Sequence, residues 1–302
     1  MGDIGPTHRR GVETPSTTEV KYLVIGATGN IGSRVTQRLV DSGARPSVFV
    51  RSAKRARDLF GDYVDIHTGD LEKPGSSLAA ALTGIDGMFL VTVGPDLHTR
   101  DRAISFAALH AGVRHVVKLS TLDVRTGIGT GPWHARGENA VRESGVAFTF
   151  IQAAAFMSNM LGWSESIRHE GVLRSSTGEG KIAFIHPDDV AAVATAALTT
   201  RNLDDQALVI TGPEALSYGE MTTTIGRAIG KPIRFEEISD RQAYTETVSW
   251  AGEGPYADAL VDIWRALRQG RLDTVTDGVR RATGREPLTF AQWAAENATS
   301  FQ

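Results

Sequence analysis

The chain has 302 residues, 41% of them hydrophobic, and a net charge of −3. That is enough apolar material for one large α/β domain, or a large and a small one, and the charge offers no global attraction to nucleic acid or an anionic membrane. It has no cysteine, which excludes disulfides, a thiolate nucleophile and cysteine metal ligands and suits a reducing, cytoplasmic setting.

Residues 1 to 19 are rich in Thr, Pro, Gly and charge, without an apolar core, and are expected to be a disordered leader. The apolar run Val20-Lys21-Tyr22-Leu23-Val24-Ile25 then leads into Gly26-Ala27-Thr28-Gly29-Asn30-Ile31-Gly32 and a helical pattern that Gly43 ends. Strand, glycine turn and helix in this order form the cradle of a dinucleotide. The first glycine turns the chain, the second lets backbone N–H groups reach a pyrophosphate, and the third lets the helix lie close to the sheet. The expected cofactor contacts are Gly26, Thr28, Gly29, Asn30 and Ile31.

The second strand, 47 to 51, ends on Arg51, where an NAD site usually carries Asp or Glu. With Lys54, Arg51 can clamp a 2′-phosphate, so NADPH is the expected cofactor. Lys54, Arg55 and Arg57 also fit the solvated face of the next helix.

Further strands are expected at 64 to 67, 87 to 93, 115 to 120 and 147 to 152, with helices at 78 to 82, 100 to 110 and 134 to 143 between them. Apolar strands alternating with helices predict a doubly wound parallel sheet of Rossmann type over 20 to 155. Ligands of such sheets bind beyond the carboxyl ends of the strands. Asp70, Leu71, Val93, Gly94, Ser120, Thr121, Gln152, Ala153 and Ala154 are therefore further expected cofactor neighbours.

Beyond 155 the pattern loosens into a smaller α/β lobe for the substrate, 156 to 302, whose chain returns to the sheet around 181 to 212. Strands are expected at 182 to 185, 208 to 211 and 233 to 237. Helices are expected at 190 to 198, capped by Asp188 or Asp189, at 218 to 229, capped by Ser217, and at 240 to 250, 256 to 268 and 289 to 298. Phe156, Asn159, Met160 and Trp163 are candidate pocket lining, although a Met and aromatic cluster at helical spacing also suits a core. His186 before Pro187-Asp188-Asp189 reads as a turn and cap, and no grouping has metal-ligand spacing.

Together, Val24-Ile25-Gly26-Ala27-Thr28-Gly29-Asn30-Ile31-Gly32, Gly69-Asp70-Leu71, Gly112-Val113-Arg114-His115, Phe156-Met157-Ser158-Asn159 and Ile185-His186-Pro187-Asp188-Asp189 resemble the NmrA-like branch of the atypical short-chain dehydrogenases/reductases. The resemblance runs from residue 20 to about 240. It implies a Rossmann fold, NADP(H) binding, and either reduction of quinones, dyes and similar compounds or redox sensing without catalysis.

Ordinary members of that superfamily use Y-x-x-x-K, and none of the tyrosines at 22, 63, 218, 244 and 256 has lysine four residues on. His134-Ala135-Arg136-Gly137-Glu138 stands instead where that dyad is expected, and this H-x-x-x-E is similar to the arrangement in the quinone and dye reductases of the branch. The i, i+4 spacing places both side chains on one face, where the carboxylate would favour an imidazolium that donates a proton to the substrate. His134, Ser120 and Glu138 are the catalytic candidates; an ordinary surface pair, or Glu138 anchoring the strand-five loop, is the plainer reading. Lys118, inside strand five, is expected to alternate to a polar edge.

These features predict an NADPH-dependent reductase, monomer or homodimer, acting on a small conjugated carbonyl compound such as a quinone or enone. The alternatives are an NADP(H) sensor without catalysis and a cofactor-retaining isomerase or cyclase.

Overall fold

A computed structural model describes residues 20–73 and 75–302; the expected leader, 1 to 19, lies outside them. The first half alternates strand and helix without interruption: β1 (Tyr22–Ile25), α1 (Asn30–Asp41), β2 (Ser47–Val50), α2 (Ala53–Phe60), β3 (Asp65–Thr68), α3 (Gly75–Leu82), β4 (Gly87–Leu90), α4 (Leu97–His110), β5 (His115–Thr121), α5 (Gly131–Ser144) and β6 (Ala147–Ala153). The rest comprises α6 (Ser164–Glu170), β7 (Val172–Ser175), β8 (Lys181–Ile182), α7 (Pro187–Thr199), β9 (Gln206–Ile210), β10 (Leu216–Ser217), α8 (Tyr218–Ile229) and β11 (Arg234–Glu237). Four helices complete it: α9 (Asp240–Ala251), α10 (Pro255–Arg268), α11 (Gly278–Thr283) and α12 (Phe290–Glu296).

Seven strands form one parallel sheet in the order β3-β2-β1-β4-β5-β6-β9. Strand order reverses between β1 and β4, which opens the crevice where such sheets take ligands. Alternation along the strands divides the core in two. Val24, Val48, Phe89, Val117 and Ile151 face α1 and α7, whereas Leu23, Ile25, Met88, Val116 and Phe150 face α3, α4 and α5. A third core, around Met157, Met160, Leu173, Tyr218, Met221, Phe290 and Trp293, belongs to the C-terminal elements. No helix among the described residues is long and apolar enough to cross a membrane.

Several elements depart from expectation. β4 stops at Leu90, since Thr92 turns to Asp101 and Gly94 takes a φ of 93°. The strand expected at 182 to 185 is only β8; Ile185 instead pairs with the segment after β6, its N–H on the Ala155 carbonyl at 2.9 Å and its carbonyl taking the Met157 N–H at 2.9 Å. α7 is capped by His186, whose Nδ1 accepts from the Asp188 N–H at 3.1 Å. The expected caps are engaged elsewhere: Asp188 pairs with Arg34 at 2.8 Å, and Asp189 accepts from the Leu288 N–H at 2.7 Å. The segments that form α6, β7, β10 and α11 are too short to show a periodicity that foretells them.

Candidate active site

The glycine turn joins β1 to α1 at the reversal point. Gly26 has a φ of 79°, and its carbonyl accepts from the Gly29 N–H at 2.9 Å. Gly32 has no room for a side chain, because a Cβ there would lie 2.1 Å from the Gly26 oxygen. The turn therefore needs both glycines. It directs the unpaired N–H groups of the first turn of α1 into the crevice, as a pyrophosphate requires. Thr28 is half-buried, Ile31 is buried and Asn30 is exposed. Asn30 also braces the turn: its Nδ2 donates to Ser158 Oγ at 2.8 Å and its Oδ1 accepts from Arg34 at 2.8 Å.

Arg51 is exposed at the end of β2 and has no partner among the described residues. Lys54 is turned to Asp58 at 2.7 Å along α2, whereas the guanidinium groups of Arg51 and Arg55 have no partner among the described residues. Asp70 is exposed, with Oδ1 on the Glu72 N–H at 3.0 Å, and Leu71 is half-buried. Val93 is 73% exposed beside the half-buried Gly94. The residues present thus fit a dinucleotide: a cradle closed by two glycines, free backbone donors and an uncommitted guanidinium.

The far side of the crevice is built by β5, β6 and α5. Glu138 is only 2% exposed, and its Oε1 accepts from Ser120 Oγ at 2.6 Å and from Gln152 Nε2 at 2.9 Å; Arg142 approaches its other oxygen at 3.4 Å. This overturns the expected His134–Glu138 pairing. The carboxylate turns inward because burial without donors would cost several kcal/mol, and β5 and β6 supply them. Glu138 is therefore the anchor of the strand ends. Ser120, whose hydroxyl hydrogen bond is donated to Glu138, can accept a hydrogen bond but has no second one to donate.

His134 is half-buried, and its Nδ1 has no partner. Burial first, and the Lys118 ammonium second, push its imidazole down to about 3. The imidazolium expected from the spacing is thus disfavoured. Lys118 is itself fully buried, not at a polar edge: Nζ pairs with Asp101 at 2.7 Å and donates to Thr92 Oγ1 at 3.1 Å, and Thr92 donates to Asp101 at 2.6 Å. Asp101 and Thr92 carry no sequence signal of this role, since each sits alone among apolar or helical neighbours.

Gln152 is buried, with its amide spent on Glu138 and Arg125. Thr121 is half-buried, caps the turn after β5 by accepting from the Asp123 N–H at 3.3 Å, and faces Ala153 across the sheet; Ala154 is buried beside it. Phe156 is half-buried and Asn159 exposed, both near the turn through Ser158. Met160 is fully buried in the C-terminal core, so it lines no pocket. Trp163 is half-buried, gives its Nε1–H to the Arg174 carbonyl at 2.8 Å and stands edge-on to Tyr218, which fixes the orientation of its ring.

The model of the NmrA-like family matches residues 18–266. The NAD(P)H azoreductase of Xenophilus azovorans is 37% identical over 288 residues, 92% of this chain and 98% of its own. The (4-alkanoyl-5-oxo-2,5-dihydrofuran-3-yl)methyl phosphate reductase of Streptomyces griseus is 38% identical over 282 residues, with coverage of 92% and 98%. Among solved structures, the NADPH-dependent quinone oxidoreductase of Escherichia coli, complexed with NADPH, superimposes with a TM-score of 0.81 at 22% identity, covering 91% of this chain and 99% of that one.

Proposed function

The chain belongs to the NmrA-like family, and from that premise we propose that it is an NADPH-dependent reductase of a small conjugated acceptor, a quinone, an enone or a related unsaturated compound. The observation that carries this reading is the intact cradle: a glycine turn without space for a Cβ at Gly32, facing an unpaired Arg51. The azo and oxo-dihydrofuran compounds named for its relatives are acceptors of the same electronic kind.

Gly26, Gly29 and the first turn of α1 would hold the pyrophosphate, Arg51 the 2′-phosphate, and Val93, Gly94, Ser120 and Thr121 the nicotinamide half. When bound, NADPH supplies a hydride to an electron-poor atom of the acceptor. The protein's own part is placement. Glu138 fixes Ser120 and Gln152 at the ends of β5 and β6, and this rigid edge sets where a flat acceptor rests. His134, neutral, offers a hydrogen bond to the acceptor's oxygen in place of a full positive charge. A conjugated product anion is delocalised, so it needs little proton donation to form.

The test is loss of the reduced-nicotinamide absorbance with purified protein and a panel of quinones, enones, azo dyes and simple ketones. Turnover of conjugated acceptors with ketones left untouched is the expected result. NADPH binding in calorimetry with no acceptor reduced would overturn it.

A further inference from the structure

The turn after β5, Leu122–Arg125, carries a guanidinium without a counter-charge. Arg125 is exposed. Among the described residues no carboxylate lies within ion-pair distance of Arg125, and its one hydrogen-bond partner there is neutral, the Gln152 Oε1 that accepts from Nε at 2.9 Å. Asp123, two residues earlier, turns to the Thr121 hydroxyl and faces Asp262.

The orientation of this arginine is built in. Glu138 can only accept, so Gln152 must show it Nε2 and is left with Oε1 toward Arg125. The relay Ser120–Glu138–Gln152–Arg125 therefore holds Nε and leaves the two terminal nitrogens uncommitted. They stand at the carboxyl ends of β5 and β6, where ligands of a doubly wound sheet rest. A planar fork held through Nε, with both terminal nitrogens free, suits a planar or tetrahedral oxyanion.

We infer that Arg125 determines acceptor choice by binding an acidic group of the substrate, a carboxylate, sulfonate or phosphate carried on its conjugated framework. This rests on the reductase reading of the cleft. The dinucleotide's own phosphates present the same chemistry, and the experiment separates the two.

Naphthalene-2-sulfonate and its neutral sulfonamide, flat probes that cannot be reduced, are titrated by calorimetry into protein saturated with NADP+. The native protein is expected to bind the sulfonate roughly 10- to 100-fold more tightly, as one or two charge-assisted hydrogen bonds provide. Arg125→Gln erases that ratio, Arg125→Lys keeps part of it, and neither changes NADP+ affinity more than about twofold. Equal binding of both probes by the native protein, parallel weakening of both in Arg125→Gln, or a tenfold loss of NADP+ affinity would each overturn the inference. Absence of NADPH oxidation with every acceptor would sink the reductase reading separately, while the calorimetric ratio still decides the role of Arg125.

Discussion

His134 meets the cleft as a neutral imidazole, and two consequences follow at the scale of that one residue. With its ionisation pushed down to about 3, turnover should show no inflection from His134 between roughly pH 5 and 8. With the proposed role of meeting the acceptor and not the cofactor, His134→Ala should lower the turnover number without weakening NADPH; unchanged turnover would leave it a structural side chain. Asp123 behaves in the opposite sense. Burial raises its carboxyl from 3.8 to about 6, so the folded state favours the protonated form and loses stability as pH climbs through that interval. Asp123→Asn should therefore gain on the native protein between those two pH values, reaching about 1–3 kcal/mol in chemical denaturation and staying level above. A difference independent of pH would show that the carboxyl titrates normally. Arg51→Asp tests the cofactor: NADPH affinity should fall about 10- to 100-fold relative to NADH, the effect of one or two lost charge-assisted hydrogen bonds. At this scale the sequence is legible where a residue stands alone, as Arg51 does, exposed and unpaired just after β2. It misleads where a partner comes from another strand: the i, i+4 spacing points Glu138 at His134, but Ser120 and Gln152 claim the carboxylate.

Among elements, the β1–α1 turn and strand β5 set the geometry of the crevice. A Cβ at position 32 would meet the Gly26 oxygen, so Gly32→Ala must push α1 away from β1, a strain of about 1–3 kcal/mol. Its dinucleotide affinity should fall well beyond what that loss of stability explains, since the first N–H groups of α1 move with it. β5 carries the buried Lys118–Asp101 pair that ties it to α4. Lys118→Met leaves a carboxylate stranded in the core and should cost about 3–5 kcal/mol, and adding Asp101→Leu should return most of it. A single variant as stable as the native chain would mean that the pair is not buried in solution. The first of these features is readable in the glycine spacing alone, because the turn's requirements fall on consecutive residues. The second is hidden, because a lysine in a strand reads as an edge residue unless its partner, 17 positions away on a helix, is known to lie beneath it.

For the whole molecule, the parallel sheet follows from unbroken apolar strands separated by helices, and its reversal point places the cradle, Arg51 and the ends of β5 and β6 around one crevice. The C-terminal elements are harder to foresee, because β7, β8, β10 and β11 are 2 to 4 residues long and pair with distant partners. Their apolar side chains close a separate core, which is why Met160 serves packing where the Met and aromatic spacing suggests a pocket. In the proposed function, what unites these parts is hydride transfer from a cofactor held by the first half to an acceptor resting on the edge of β5 and β6. The decisive measurement is a single turnover: protein saturated with NADPH is mixed with an excess of conjugated acceptor, and the reduced-nicotinamide absorbance is followed with normal cofactor and with cofactor deuterated at both C4 positions. The account predicts complete loss of the absorbance, slower with deuterium because the C4–H bond breaks on the enzyme. Bound NADPH that persists unchanged before every acceptor would contradict it.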